Sequence, residues 1–131
     1  MQDKIQFLSV EDVLIIHSDT IASEGGLDGI RDTGLLESAV AMPQQQFGGY
    51  YLHDGLAEMA AAYLFHIAAN HPFLDGNKRA ASMSTLVFLD ANVIAKLPEP
   101  SELEAITLQV AASQMSKKDL TYWMRQQIEP S

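Results

Sequence analysis

The stretch His71-Pro72-Phe73-Leu74-Asp75-Gly76-Asn77-Lys78-Arg79 places an imidazole, a carboxylate, a glycine, an amide and two cations within nine residues. His71 is the one group among them that accepts a proton near neutral pH. Gly76 permits a tight turn, and a helix is predicted to begin at Asn77. The first amides of a helix are unpaired and point outward, so they form an anion site. Lys78 and Arg79 add positive charge there, Arg79 with a planar fork that matches phosphate. Asp75 stands where a carboxylate can hold Mg²⁺ beside phosphates. Together these residues suggest a nucleotide-phosphate pocket with a general base at its rim. A hydroxyl deprotonated by His71 would attack a phosphorus held by the loop. The same residues also suit a plain capped connection between helices, with Asp75 as cap, Lys78 and Arg79 solvated and His71 hydrogen-bonded to backbone.

The elements that must position this stretch are two apolar helices. Gly55 to Asn70 carries Ala57, Met59 to Ala62, Leu64, Phe65, Ile67 and Ala68, and Asn77 to Asp90 carries Met83, Leu86, Val87, Phe88 and Leu89. Helices apolar nearly all round belong at the centre of a domain. Around them, Ser9 with Glu11 and Asp12 predicts a helix start, and Gly25-Gly26 its stop. Leu27 to Arg31 has turn composition. Asp32 is expected to cap a helix over Thr33 to Met42 that Pro43 ends. Gln44 to His53 is polar, aromatic and glycine-punctuated, and reads as an exposed loop or a β-hairpin flap. Val93 to Leu97 leaves room for a short strand before Pro98 and Pro100. Helices are predicted over Ser101 to Ser113 and Ser116 to Ile128, the latter opened by a Ser116…Asp119 capping pair. The expected architecture is all-α, a single domain over residues 1–131.

Composition bounds the function. The chain has 131 residues, 47% hydrophobic and 19% charged, enough to bury a core. Eight Lys and Arg against seventeen Asp and Glu give a net charge of −9. That argues against direct, sequence-blind binding of DNA, which needs a basic face to displace phosphate counterions. There is no cysteine, hence no disulfide, thiolate zinc site or cysteine nucleophile. No apolar run reaches membrane-spanning length and no signal peptide is visible, so a cytoplasmic location is expected.

The motif segment resembles the Fic-domain motif, His-x-Phe-x-Asp/Glu-Gly-Asn-x-Arg. Phe7 to Val13, Gly25-Gly26 through Asp32, Gly34 to Ala39 and Pro43 to Gly49 resemble the Doc (death-on-curing) branch of the same superfamily. Lys78 between Asn77 and Arg79 is the Doc form. Ser82 stands three residues beyond Arg79, where adenylylating relatives carry a second arginine. This resemblance, from Phe7 to about Trp123, implies a compact helical bundle with the motif joining two core helices and a small β-hairpin flap. It implies a toxin of a toxin–antitoxin pair that transfers phosphate from ATP, with Mg²⁺, to a Ser or Thr hydroxyl of a translation factor such as elongation factor Tu. In that reading His71 is the base and Asp75 orients the target hydroxyl or binds Mg²⁺. Gly76 and Asn77 bind phosphate, Lys78 and Arg79 hold the phosphates, and Phe73 anchors the loop. The flap residues Phe47, Gly48, Gly49 and Tyr50 dock a peptide of the target by adding a strand. A cognate antitoxin lays a helix over the site. The alternatives are transfer of AMP by a Fic-type adenylyltransferase, and a degenerate member that only binds a nucleotide or partner.

Outside the motif, His66 lies five residues before His71 rather than the four of a helical zinc pair, and reads as a core histidine. His17 sits on the apolar face of the first helix and reads as packed and hydrogen-bonded. Thr20 to Gly25 fits a loose Ser/Thr-x-x-x-Glu-Gly pattern of autoinhibitory helices, but its simpler reading is a helix C-terminus. Lys117-Lys118 reads as a solvated pair near a helix start.

Overall fold

A computed structural model describes residues 4–129. Six helices and one two-stranded hairpin follow in the order α1 (Val10–Glu24), α2 (Thr33–Ala41), β1 (Gln46–Phe47), β2 (Tyr50–Tyr51), α3 (Leu56–Asn70), α4 (Asn77–Ala91), α5 (Pro100–Ala111) and α6 (Lys117–Ile128). The helix starts are chemically explicit. Ser9 and Asp12 form a reciprocal capping box on α1. The Asp32 carboxylate accepts from Leu35 N–H at 2.9 Å, and the Ser116 hydroxyl from Asp119 N–H at 3.0 Å. Pro100 occupies the first turn of α5, where its missing N–H costs nothing. Pro43 ends α2 by entering a 3₁₀ turn over Met42–Gln44.

Helix α3 is the hub, packed against α2, α4, α5 and α6, while α1 packs on α4 and α2. Six alanines, Ala60, Ala61, Ala62, Ala68, Ala80 and Ala81, are fully buried on α3 and α4. Small residues on the two helices leave room for close packing. Tyr63 is the largest buried side chain of α3. Its ring lies 4.9 Å from that of Phe88, and its hydroxyl accepts Leu8 N–H at 2.8 Å. Burial pushes the phenol up to about 12, so it stays protonated. Asn92 ties the amino-terminal segment down in the same way, accepting from Gln6 N–H at 2.8 Å and donating to Gln6 C=O at 3.0 Å.

The hairpin pairs Gln46 with Tyr51 and Phe47 with Tyr50. Both turn residues, Gly48 and Gly49, have positive φ, the backbone that a two-residue turn matching strand twist requires. One sequence expectation fails. Val93 to Leu97 forms no strand. Val93 sits at φ 58° and is 89% exposed, and the amides of Asn92, Val93 and Ile94 turn back to Leu89 and Asp90 carbonyls. The segment unwinds the end of α4, and its neighbours are helices with no ladder edge to offer.

Tyr63→Phe removes the acceptor for Leu8 N–H while keeping the ring. It should cost about 1–3 kcal/mol, the desolvation cost of an unpaired buried donor. Urea denaturation checks this; an unchanged midpoint would show that Leu8 N–H is satisfied elsewhere.

Candidate functional site

The motif loop spans the six residues between the C-terminus of α3 and the N-terminus of α4. His71 leaves α3 in the left-handed region at φ 49°, ψ 57°, uncommon for a residue with a Cβ. Arg31 holds it there. Its Nε donates to the His71 carbonyl at 2.6 Å and its Nη2 to the Asn70 carbonyl at 2.8 Å. One planar fork thus caps two orphan carbonyls and places a cation at the negative end of the helix.

The backbone of segment 27–32 runs beside the loop. Arg31 and Asp32 N–H both donate to the Pro72 carbonyl, at 2.7 and 3.1 Å, and Leu74 N–H donates to Gly29 C=O at 3.1 Å. Ile30 and Phe73 form an isolated antiparallel bridge. Leu27 N–H donates to Asp75 Oδ2 at 2.8 Å. Gly29 is required by contact, since a Cβ there would meet Leu74 Cδ1 at 3.0 Å.

His17 supports the loop from below. It is buried, stacks on Phe73 with centroids 3.7 Å apart and planes 4° from parallel, and places Nε2 at 2.7 Å from the Asp75 carbonyl. A carbonyl only accepts, so Nε2 carries the hydrogen. Gly76, at φ 78°, lies against the same ring; a Cβ there would sit 3.4 Å from His17 Nε2 and 3.3 Å from Ile21 Cδ1. Asn77 clasps the loop from the other side, accepting from Phe73 N–H at 2.9 Å and donating to Phe73 C=O at 3.0 Å. Its side-chain amide is therefore committed to the loop, and residue 77 meets an anion through its backbone N–H.

The result is a rigid loop whose outer face carries His71, Asp75 and Lys78, all exposed. No side chain caps α4, so its first N–H groups are available to a ligand. Asp75 Oδ1 makes no hydrogen bond among the described residues, whereas Oδ2 is held by Leu27. Arg79 departs from the simple phosphate picture. Its Nε donates to Glu24 Oε2 at 2.6 Å and its Nη1 to Glu104 Oε1. Glu24 is the last residue of α1 and Glu104 lies on α5, so one guanidinium joins three helices. Lys78, Arg79, Ser82 and Glu104 also line a cavity of about 210 Å³ closed by Thr107 and Leu108.

The flap residues stand apart from the loop in sequence. Phe47 is 78% and Tyr50 80% exposed, large apolar surface for a two-residue strand pair. Sequence reasoning brought the motif residues together correctly as one loop. It missed Arg31, Leu27 and Glu104, and it read Glu24 as a plain helix end. Arg31 and Glu24 carried a signal in retrospect, a charged residue inside a turn-like segment and an acid beside a double glycine. The partners are 40 and 55 residues away, and no local pattern encodes them.

Arg31→Ala uncaps Asn70 and His71. The amides of Phe73 and Leu74 should then exchange hydrogen at least tenfold faster, while those in the middle of α3 keep their rate. Uniform acceleration would mean Arg31 supports the whole fold instead.

Comparison with known proteins places this geometry. The family model described as Fic/DOC family matches residues 7–89. The chain is similar to a protein of Escherichia phage P1 named Protein kinase doc, 31% identical over 121 residues that span 92% of this chain and 94% of the relative. It is also similar to Toxin Doc of Mycolicibacterium smegmatis, 44% identical over 87 residues, 66% of this chain and 65% of the relative.

Proposed function

Because this chain belongs to the Fic/DOC family, we propose that it is a Doc-type toxin that moves the γ-phosphate of ATP onto a Ser or Thr hydroxyl of a translation factor, elongation factor Tu first among them. The observation that carries this reading is the motif loop itself. It presents a histidine, a carboxylate with one oxygen unbonded among the described residues and the Lys78 ammonium at an uncapped helix N-terminus, with Arg79 next to them in its glutamate pairs. The chemistry needs little covalent help from the protein, only positioning and charge. The target hydroxyl oxygen bonds to the γ-phosphorus, the bond to ADP breaks, and His71 takes the hydroxyl proton. The N–H groups of Asn77 and Lys78 and the Lys78 ammonium bind the phosphates. Asp75 Oδ1, which makes no hydrogen bond among the described residues, would hold Mg²⁺, and the ion would supply positive charge against the leaving phosphates.

The exposed Phe47 and Tyr50 on their short strands are suited to pairing with an extended peptide of the target. A relative named as a toxin supports a cognate antitoxin as the natural inhibitor, its helix covering the motif loop. Ser82, in place of a second arginine, favours phosphate over AMP transfer. A cytoplasmic setting follows from such a target, and no described helix is long and apolar enough to cross a membrane.

The test is a bacterial translation extract incubated with ATP labelled at the γ- or the α-phosphate. A band the size of elongation factor Tu should take up γ-label alone, and His71→Ala should lower its rate by about 10²-fold or more. Label from the α-phosphate alone would replace this reading with adenylylation. No label with nucleotide still bound would leave a binding protein.

Arg79 yields a second expectation. Glu24 and Glu104 hold the guanidinium that phosphates would use, so a nucleotide has to displace them. Both are about half exposed, so each pair is worth at most ~1 kcal/mol. Glu24→Gln and Glu104→Gln should each tighten ATP binding by up to about fivefold in calorimetric titration, at that ~1 kcal/mol limit. Weaker binding in both would mean the carboxylates orient Arg79 for its ligand.

A further inference from the structure

Lys117, the first residue of α6, does not point into solvent as a charge pair near a helix start would. Its Nζ lies 2.8 Å from His53 Nε2 and 3.0 Å from His66 Nε2. His53 comes from the segment after the hairpin and is buried; His66 comes from α3. Two imidazole nitrogens from separate elements therefore converge on one amine, and they accept from it when each ring carries its hydrogen on Nδ1. The surroundings disfavour charge on all three. Burial first, and then the mutual repulsion of these groups, lowers His53 and brings His66 down to about 4. Burial likewise lowers Lys117. Glu58 acts the other way on Lys117 and His53, but its carboxylate also pairs with Arg125 and accepts Asp54 N–H at 2.8 Å.

A cavity of about 310 Å³ opens onto this amine, lined by His53, Glu58, Lys117, Lys118, Thr121 and Arg125. Three of the chain's eight Lys and Arg residues line it, and none of the motif-loop residues does. The cavity thus joins an amine held between two imidazoles to the exposed Lys118 and to Arg125, which pairs with Glu58.

We propose that Lys117 is a reactive amine that small acyl phosphates acylate directly at Nζ. The Nζ lone pair bonds to the acyl carbon. The carbon–oxygen bond to phosphate then breaks, and inorganic phosphate leaves with that electron pair. The proton lost from Nζ passes to solvent through the open cavity, so the balance closes with one amide and one phosphate. Lys118 and the guanidinium of Arg125 attract the anionic donor and its leaving group. The amide formed carries one N–H and no charge, so it can no longer bond both imidazoles. Acylation therefore leaves one of the two imidazoles, His53 or His66, without its partner on α6. This inference does not depend on the transfer chemistry of the motif loop.

The test uses the full chain, acetyl phosphate at pH 8, and peptide mass spectrometry of Lys4, Lys78, Lys96, Lys117 and Lys118 over time. Lys118 is the internal control, adjacent in sequence and exposed. Lys117 should acetylate about tenfold faster or more. Its rate should also level off at a lower pH than that of Lys118. The double variant His53→Asn, His66→Asn should bring Lys117 close to the rate of Lys118. The wild-type ratio and pH profile stand by themselves if that variant fails to fold. A Lys117 rate equal to or below that of Lys118 overturns the proposal and leaves the amine a structural tie.

Discussion

The structure turns on how two helix ends are reconciled across six residues. Helix α3 arrives with unpaired carbonyls and α4 departs with unpaired N–H groups, and both ends lie next to the core. The carbonyl end is satisfied from within the protein, by the fork of Arg31 and the backbone of residues 31 and 32. The N–H end is left open, because Gly76 has no side chain and Asn77 turns its amide back to Phe73. Closing one end and not the other is what leaves unpaired N–H groups on the loop's outer face. Had the carbonyls been left to water, the loop would move. Had a Ser or Asp capped α4, an anion would meet an occupied terminus.

Rigidity here comes from many short-range fixings of one backbone run. His17 below, segment 27–32 beside and Asn77 ahead each hold a different atom of residues 70–77. That explains why His71 can rest in the left-handed region, a conformation that costs roughly 1–2 kcal/mol for a residue with a Cβ. The surrounding hydrogen bonds over-determine it. Gly29 and Gly76 serve the same end by close approach: each sits where a Cβ would press on Leu74 or on the His17 and Ile21 side chains.

Local physics was legible in the sequence, and distant pairing was not. The caps Ser9, Asp32 and Ser116 act where their residue types placed them, and the two central helices start within a residue of expectation. The Gly48-Gly49 turn fixes the hairpin in the same direct way. Val93 to Leu97 was misjudged because an apolar run between breakers looks like a strand whether or not an edge exists to pair with it. Arg31, Glu24 and Glu104 were passed over for the converse reason. A charge in a turn or at a helix end is ordinary, and only the folded chain brings it to a carbonyl or a guanidinium 25 to 55 residues away. Lys117 belongs with them: a lysine at a helix start reads as solvated until two histidines from other elements arrive beside it.

The charge arrangement sets what the loop can bind. In a chain of net charge −9, a free cation attracts the protein's own carboxylates, and Arg79 has two of them. A monoanionic ligand offers Arg79 nothing that Glu24 and Glu104 do not already supply. A ligand with several negative charges can engage the guanidinium, the exposed Lys78 ammonium and the open N–H groups of α4 together. Only then does the sum exceed two half-exposed ion pairs. The glutamates thus raise the charge a ligand needs before it gains from Arg79, a condition that the triphosphate of the proposed reaction would meet.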